Sequence, residues 1–201
     1  DYKIRVINTY IDSGFQNTYS TLFDGVDAYV TCGDSDAFSF TDGSEDDPFS
    51  ISMWVYPDAI GNTTILGGKN SGFPVAEYEL RFGSGGSGNG LRFRLYDASE
   101  SSLYYIQSRL DVTVPTSAWT HIVATYDGSG DANGINIYID AVIPAATKLS
   151  QANYVAMENT AAPLTLGTVG TQGGTTYYDG YMDEVSIWSK ELTAAEVLAM
   201  Y

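Results

Sequence analysis

Along most of the chain, apolar and polar residues alternate in short runs that end at turn residues. Phe49, Ile51, Met53 and Val55 alternate with Ser50, Ser52, Trp54 and Tyr56 before Pro57-Asp58. A period of two places one set on a core and the other on an outer face, which predicts a strand. Tyr78, Leu80 and Phe82 alternate with Glu77, Glu79 and Arg81; after the glycine-rich tip Gly83 to Gly90, Leu91, Phe93 and Leu95 alternate with Arg92, Arg94 and Tyr96. The pattern predicts a hairpin with Phe82 opposite Leu91, and Glu79 opposite Arg94 as an ion pair on an exposed face.

Trp119 to Tyr126 reads as a strand ended by Asp127-Gly128. Ile135, Ile137 and Ile139 form the next alternation, turned by Asp140-Ala141. Leu164 to Leu166 is a short strand, and Tyr181 to Trp188 is the last one. On that last strand Asp183 shares parity with Val185 and Ile187, so it is expected on the core side. The chain closes on a short helix: Thr193 and Glu196 have capping-box spacing, and Val197, Leu198 and Tyr201 are expected to pack it down. Residues 1–20 read as an edge strand or a connector from a preceding domain, and residues 21–201 as one all-β domain.

Composition supports that class and narrows the partners. Two hundred and one residues suit one sandwich, and 16 Tyr, 8 Phe and 3 Trp favour strands. Nine basic residues against 25 acidic ones leave a net charge of −16. Such a surface repels phosphate backbones and anionic lipid, which argues against nucleic acid and against membrane insertion. The lone Cys32 has no internal disulfide partner, and the lone His121 leaves a Ser/His/Asp triad a single base; its parity with Trp119 and Val123 predicts a structural histidine on a packed strand.

Four segments, in order, resemble the laminin-G-like branch of the concanavalin A-like lectin/glucanase superfamily. They are Leu22 to Val30 (LFDGVDAYV), Phe49 to Val55 (FSISMWV), Trp119 to Gly128 followed by Ile137 to Asp140, and Gly180 to Trp188 followed by Leu192-Thr193 and Glu196. Ala141 departs from the pattern, since the family places Gly there. The resemblance implies a two-sheet antiparallel jelly-roll sandwich with a short C-terminal helix, whose rim loops bind calcium and, in many members, glycans or protein partners. For this chain it implies a structural calcium at Asp24, Asp27 and Asp183; the alternative for Asp183 is capping of backbone N–H groups.

The remaining candidates follow from chemistry. Tyr104-Tyr105 and Tyr177-Tyr178 lie in or beside Gly/Ser/Thr-rich stretches, where exposed rings can stack on sugars or act as strand filler. Arg81, Arg92, Arg94 and Arg109 fall in one central third of the chain, as an acidic-glycan patch or as partners of nearby carboxylates. The acidic stretch Asp42, Glu45, Asp46 and Asp47, and the Asp127/Asp131/Asn133 group, read as solvated loops. The carboxylate spacing of the family's glucanases (Glu-x-Asp-x-Glu) is not met by Glu77 and Glu79, because Arg81 follows. These features point to a non-catalytic binding module at an extracellular or virion surface, recognising glycan in adhesion. The alternative is a phage or virion decoration domain assembling with protein, and a glycoside hydrolase ranks behind both.

Overall fold

A computed structural model describes residues 19–61, 65–72, 74–83, 90–99, 104–169 and 177–201. Two antiparallel sheets face each other. The five-stranded sheet is ordered β1 (Thr21–Asp24), β12 (Asp179–Trp188), β3 (Phe49–Ala59), β8 (Thr120–Tyr126) and β9 (Ile135–Ile139). The seven-stranded sheet is ordered β10 (Ala146–Ser150), β7 (Tyr104–Leu110), β6 (Leu91–Asp97), β5 (Ala76–Phe82), β4 (Ile65–Asn70), β11 (Leu164–Leu166) and β2 (Val30–Gly33). This is the two-sheet jelly roll expected from the alternating runs.

The core is where the apolar parities of the two sheets meet. Phe49, Ile51, Met53 and Val55 of β3 pack against Tyr78, Leu80 and Phe82 of β5 and Leu91, Phe93 and Leu95 of β6, all 2% exposed or less. Phe40 stacks flat on Phe49 with centroids 4.4 Å apart, and Phe49 meets Phe93 edge-on at 5.6 Å. Offset and edge-on pairs of this kind add to simple burial. The predicted hairpin register holds: Phe82 faces Leu91 and Glu79 faces Arg94.

Three local expectations are corrected. The pairing of β12 with β3 is interrupted between Asp183 and Ser186, where Glu184 has φ 49°. This bulge shifts side-chain parity, so Val185 and Ile187 pack on the core. Asp183 lies opposite Trp54 instead, on the outer face of the five-stranded sheet, and not on the core side. Asp46 is not solvated: it is 8% exposed, and its carboxylate accepts from the Tyr126 and Tyr154 hydroxyls at 2.8 and 2.7 Å and from the Met157 amide at 2.8 Å. Burial nonetheless pushes its pKa up. In the C-terminal helix α1 (Ala194–Met200), the Thr193/Glu196 capping box forms and Val197 is buried, but Leu198 is exposed. Tyr201 packs only by stacking its ring on Trp54 and His121.

Candidate functional site

The outer face of the seven-stranded sheet carries an unusual set of side chains. Register places Arg81, Arg92 and Arg109 in one row across β5, β6 and β7, then Glu79, Arg94 and Gln107, then Tyr96 and Tyr105. All sit on the parity opposite to the core residues of the same strands. Four of the chain's nine basic residues therefore share one face of a domain with net charge −16.

The expected Glu79–Arg94 ion pair on an exposed face does not form. Glu79 is 1% exposed, and its carboxylate takes Arg81 Nε and Arg92 Nη2 at 3.1 Å each and Asn70 Nδ2 at 2.8 Å. Arg109 pairs with the exposed Asp111 at 3.3 Å. Arg94 turns elsewhere: Nε and Nη2 both donate to Gln107 Oε1, at 3.0 and 2.7 Å. Its guanidinium carbon lies 3.8 Å from the Tyr105 ring centroid and 5.6 Å from that of Tyr96. A guanidinium held by a neutral amide over an aromatic face keeps its positive charge uncompensated and its plane oriented. Glu77 shares the buried Lys69, 3.3 Å away, with the nearer Asp34 at 2.8 Å.

The four tyrosines singled out in the sequence separate. Successive residues on a strand point to opposite faces, so Tyr105 joins Arg94 while Tyr104 packs against the core. Tyr178 is fully buried, edge-on to Phe23 at 5.7 Å, and its hydroxyl donates to the Tyr181 carbonyl at 3.1 Å. As a core residue it offers no ring to a ligand. Tyr177 is half-buried, two residues before β12. Most of the glycine-rich tip 83–90, the 99–105 segment and the 170–178 segment lies outside the described residues.

The three acids expected to share calcium are not brought together. Asp24 faces Asp179 across the β1–β12 ladder, and Asp183 lies four positions further along the strand, about 13 Å away at the usual strand rise. One Asp24 oxygen accepts three amides, from Val26, Asp27 and Ala28, at 2.9 to 3.1 Å. Those bonds hold its pKa down at about 2. Asp27 is exposed, and an Asp183 oxygen accepts the Glu184 amide at 2.8 Å. Among the described residues, no three His, Cys, Asp or Glu side chains converge as a metal site.

Comparison with known proteins agrees with this architecture. The laminin-G-type model described as the concanavalin A-like lectin/glucanases superfamily matches residues 24–198. The chain belongs to that superfamily. No curated protein matches the sequence significantly. Among solved structures, domain 4 of an extracellular arabinanase from Geobacillus stearothermophilus, in complex with arabinotriose, superposes with a TM-score of 0.57 at 22% identity over 90% of this chain and 75% of its own. A Bacteroides ovatus protein named for carbohydrate binding gives 0.59 at 19% identity, covering 89% of this chain and 45% of its own. The binding domain of botulinum neurotoxin serotype G gives 0.60 at 20%, covering 90% and 41%. This chain thus spans less than half the length of the latter two. At such identities the likeness is one of fold.

Sequence reasoning listed the arginines but missed how they are assembled. The signal was present as Arg92-x-Arg94-x-Tyr96 and Tyr105-x-Gln107-x-Arg109, two period-two strings that a sheet aligns row by row.

Proposed function

We propose that this superfamily member is a non-catalytic glycan-binding module of an extracellular protein, and that it reads acidic sugars on the outer face of the seven-stranded sheet. The observation that carries this reading is Arg94, braced by Gln107 over Tyr105 beside the row of Arg81, Arg92 and Arg109 on an otherwise acidic domain. Planar guanidinium groups suit the carboxylate or sulfate of an acidic glycan, and tyrosine rings supply stacking area. Binding of arabinotriose by one structural neighbour supports a carbohydrate ligand for this fold.

The test is calorimetric titration with an acidic oligosaccharide, either an oligogalacturonate or a heparin fragment, beside a neutral gluco-oligosaccharide. The acidic ligand should bind more tightly, weaken with added salt, and lose roughly tenfold or more in affinity in Arg94→Ala, because a charge-assisted bidentate contact is worth more than a neutral one. Equal binding of the neutral ligand, indifferent to Arg94→Ala, would refute the assignment.

A further inference from the structure

Lys69, on β4, has a side chain with no solvent exposure. A lysine ordinarily buries only its stem and keeps the ammonium in water, because a buried charge is costly unless it is paired. Here Nζ lies 2.8 Å from Asp34 Oδ1 and 3.3 Å from Glu77 Oε1, so two carboxylates from separate parts of the fold close on one nitrogen. Asp34 is 35 positions from Lys69 in the chain, and no local pattern joins them.

Strand register assembles the group. Gly33 of β2, Leu164 of β11, Lys69 of β4 and Tyr78 of β5 stand in one row across the seven-stranded sheet. Gly33 ends β2 with φ 73°, a conformation that turns the chain, and Asp34 reaches across β11 to Lys69. Glu77 precedes Tyr78, and its side chain is fully buried. Its Oε1 also accepts the Thr160 amide and hydroxyl, at 2.9 and 3.1 Å, which fixes the carboxylate in place. Burial pushes the Glu77 pKa up, opposed by the Thr160 amide and Lys69, so this glutamate takes a proton more readily than an exposed one. An amine, an acyl carbon and a proton carrier therefore meet around one nitrogen, which is the arrangement that a condensation needs.

We propose that Lys69 and Asp34 join as an intramolecular amide, with Glu77 carrying the protons. The Lys69 ammonium passes one proton to Glu77, which frees the lone pair on Nζ. Nζ attacks Asp34 Cγ, the N–C bond forms, and one C–O bond of the carboxyl breaks. The departing oxygen leaves as water with the two protons that the nitrogen gives up, relayed through Glu77, which ends as it began. Ammonium and carboxylate become amide and water, so no oxidant or other reactant is consumed. Free in solution the condensation is unfavourable, but reactants fixed in contact gain an effective molarity of roughly 10⁵–10⁸ M. The product also replaces a buried charge and its partner by a neutral group. The bond braces the exposed strand β2, which pairs with the three-residue β11, to the interior of its sheet. With a single cysteine, the chain has no internal disulfide to do this. The bond is independent of the arginine face, and either can fail without the other.

The test is the intact mass of the full chain after prolonged incubation in its folded state. The wild type should weigh one water molecule less than its sequence requires. Chymotrypsin, which cuts between the two residues at Phe38, Phe40 and Phe49, should release a branched peptide joining the segments around Asp34 and Lys69. Lys69→Arg and Asp34→Ala should keep the full mass of their sequences. Asp34→Asn should form the same bond by expelling ammonia, and so reach the mass of the wild-type product. Glu77→Gln, close to isosteric, should lose water at least about a hundredfold more slowly, the usual contribution of a positioned acid–base group. The decisive reading is made on the wild type, so it does not depend on any variant folding. A wild type of full mass would overturn the proposal. So would a water loss that survives in Lys69→Arg, since that marks succinimide formation at an Asp-Gly pair such as Asp42-Gly43. Loss of water from Glu77→Gln at the wild-type rate would overturn the role given to Glu77.

Discussion

At the scale of single residues, the turn after β9 shows how a local conformation departs from what its residues prefer. Asp140 and Ala141 have φ of 49° and 61°, and Ile139 and Val142 exchange both backbone hydrogen bonds across them. This is the two-residue hairpin geometry that favours glycine, because a Cβ in the left-handed region costs roughly 1 kcal/mol. Ala141 also packs against the small C-terminal core, so its methyl returns part of that cost. Ala141→Gly is therefore expected to stabilise the domain by about 0.5 kcal/mol, seen as a higher midpoint in urea with an unchanged slope. A lower midpoint would mean that the methyl contact outweighs the strain.

Among the elements, β5, β6 and β7 carry most of the site, and Glu79 shows what assembling them costs. An exposed cross-strand pair would contribute less than about 1 kcal/mol. Glu79 is instead sealed beneath Arg81, Arg92 and Asn70. Removing its charge takes away the carboxylate that the buried Arg92 and the half-buried Arg81 share, so Glu79→Gln is expected to destabilise by about 3 kcal/mol. Equilibrium denaturation checks this; a change under 1 kcal/mol would mean that water already screens the pair. The hairpin register was legible in the sequence because turn length and parity determine it. The choice of Arg81 and Arg92 over Arg94 as Glu79's partners was not legible, because side chains on one face choose among diagonal neighbours by burial and by competing acceptors such as Gln107.

For the whole molecule, acid titration joins the two sheets' chemistry to stability. His121, 3% exposed between Trp54 and Tyr201, has its pKa lowered from 6.5 to about 4, chiefly because burial disfavours the charged ring and only partly offset by Asp140. The unfolded chain therefore takes up this proton first as pH falls. The resulting stability is fully present above pH 6.5 and is lost on the way down to about pH 4. Asp46 and Glu77, raised by burial, act in the opposite sense, so the informative quantity is the difference between the wild type and His121→Gln. The variant should show a flatter decline in stability between pH 6.5 and 4, measured by denaturation at several pH values; identical slopes would mean that the ring is hydrated. What the sequence by itself determined is the architecture: period-two runs, turn residues and a capping box are local signals that each strand or helix carries within a few positions. What only the tertiary structure decided is which outward residues became sites. A single bulge at Glu184 moved Asp183 from the expected core side to the outer face beside Trp54, strand alternation parted Tyr104 from Tyr105, and pairing of β5 with β6 and of β6 with β7 gathered four arginines that the chain holds up to 28 residues apart. Those outcomes depend on contacts between distant strands, which no local pattern contains.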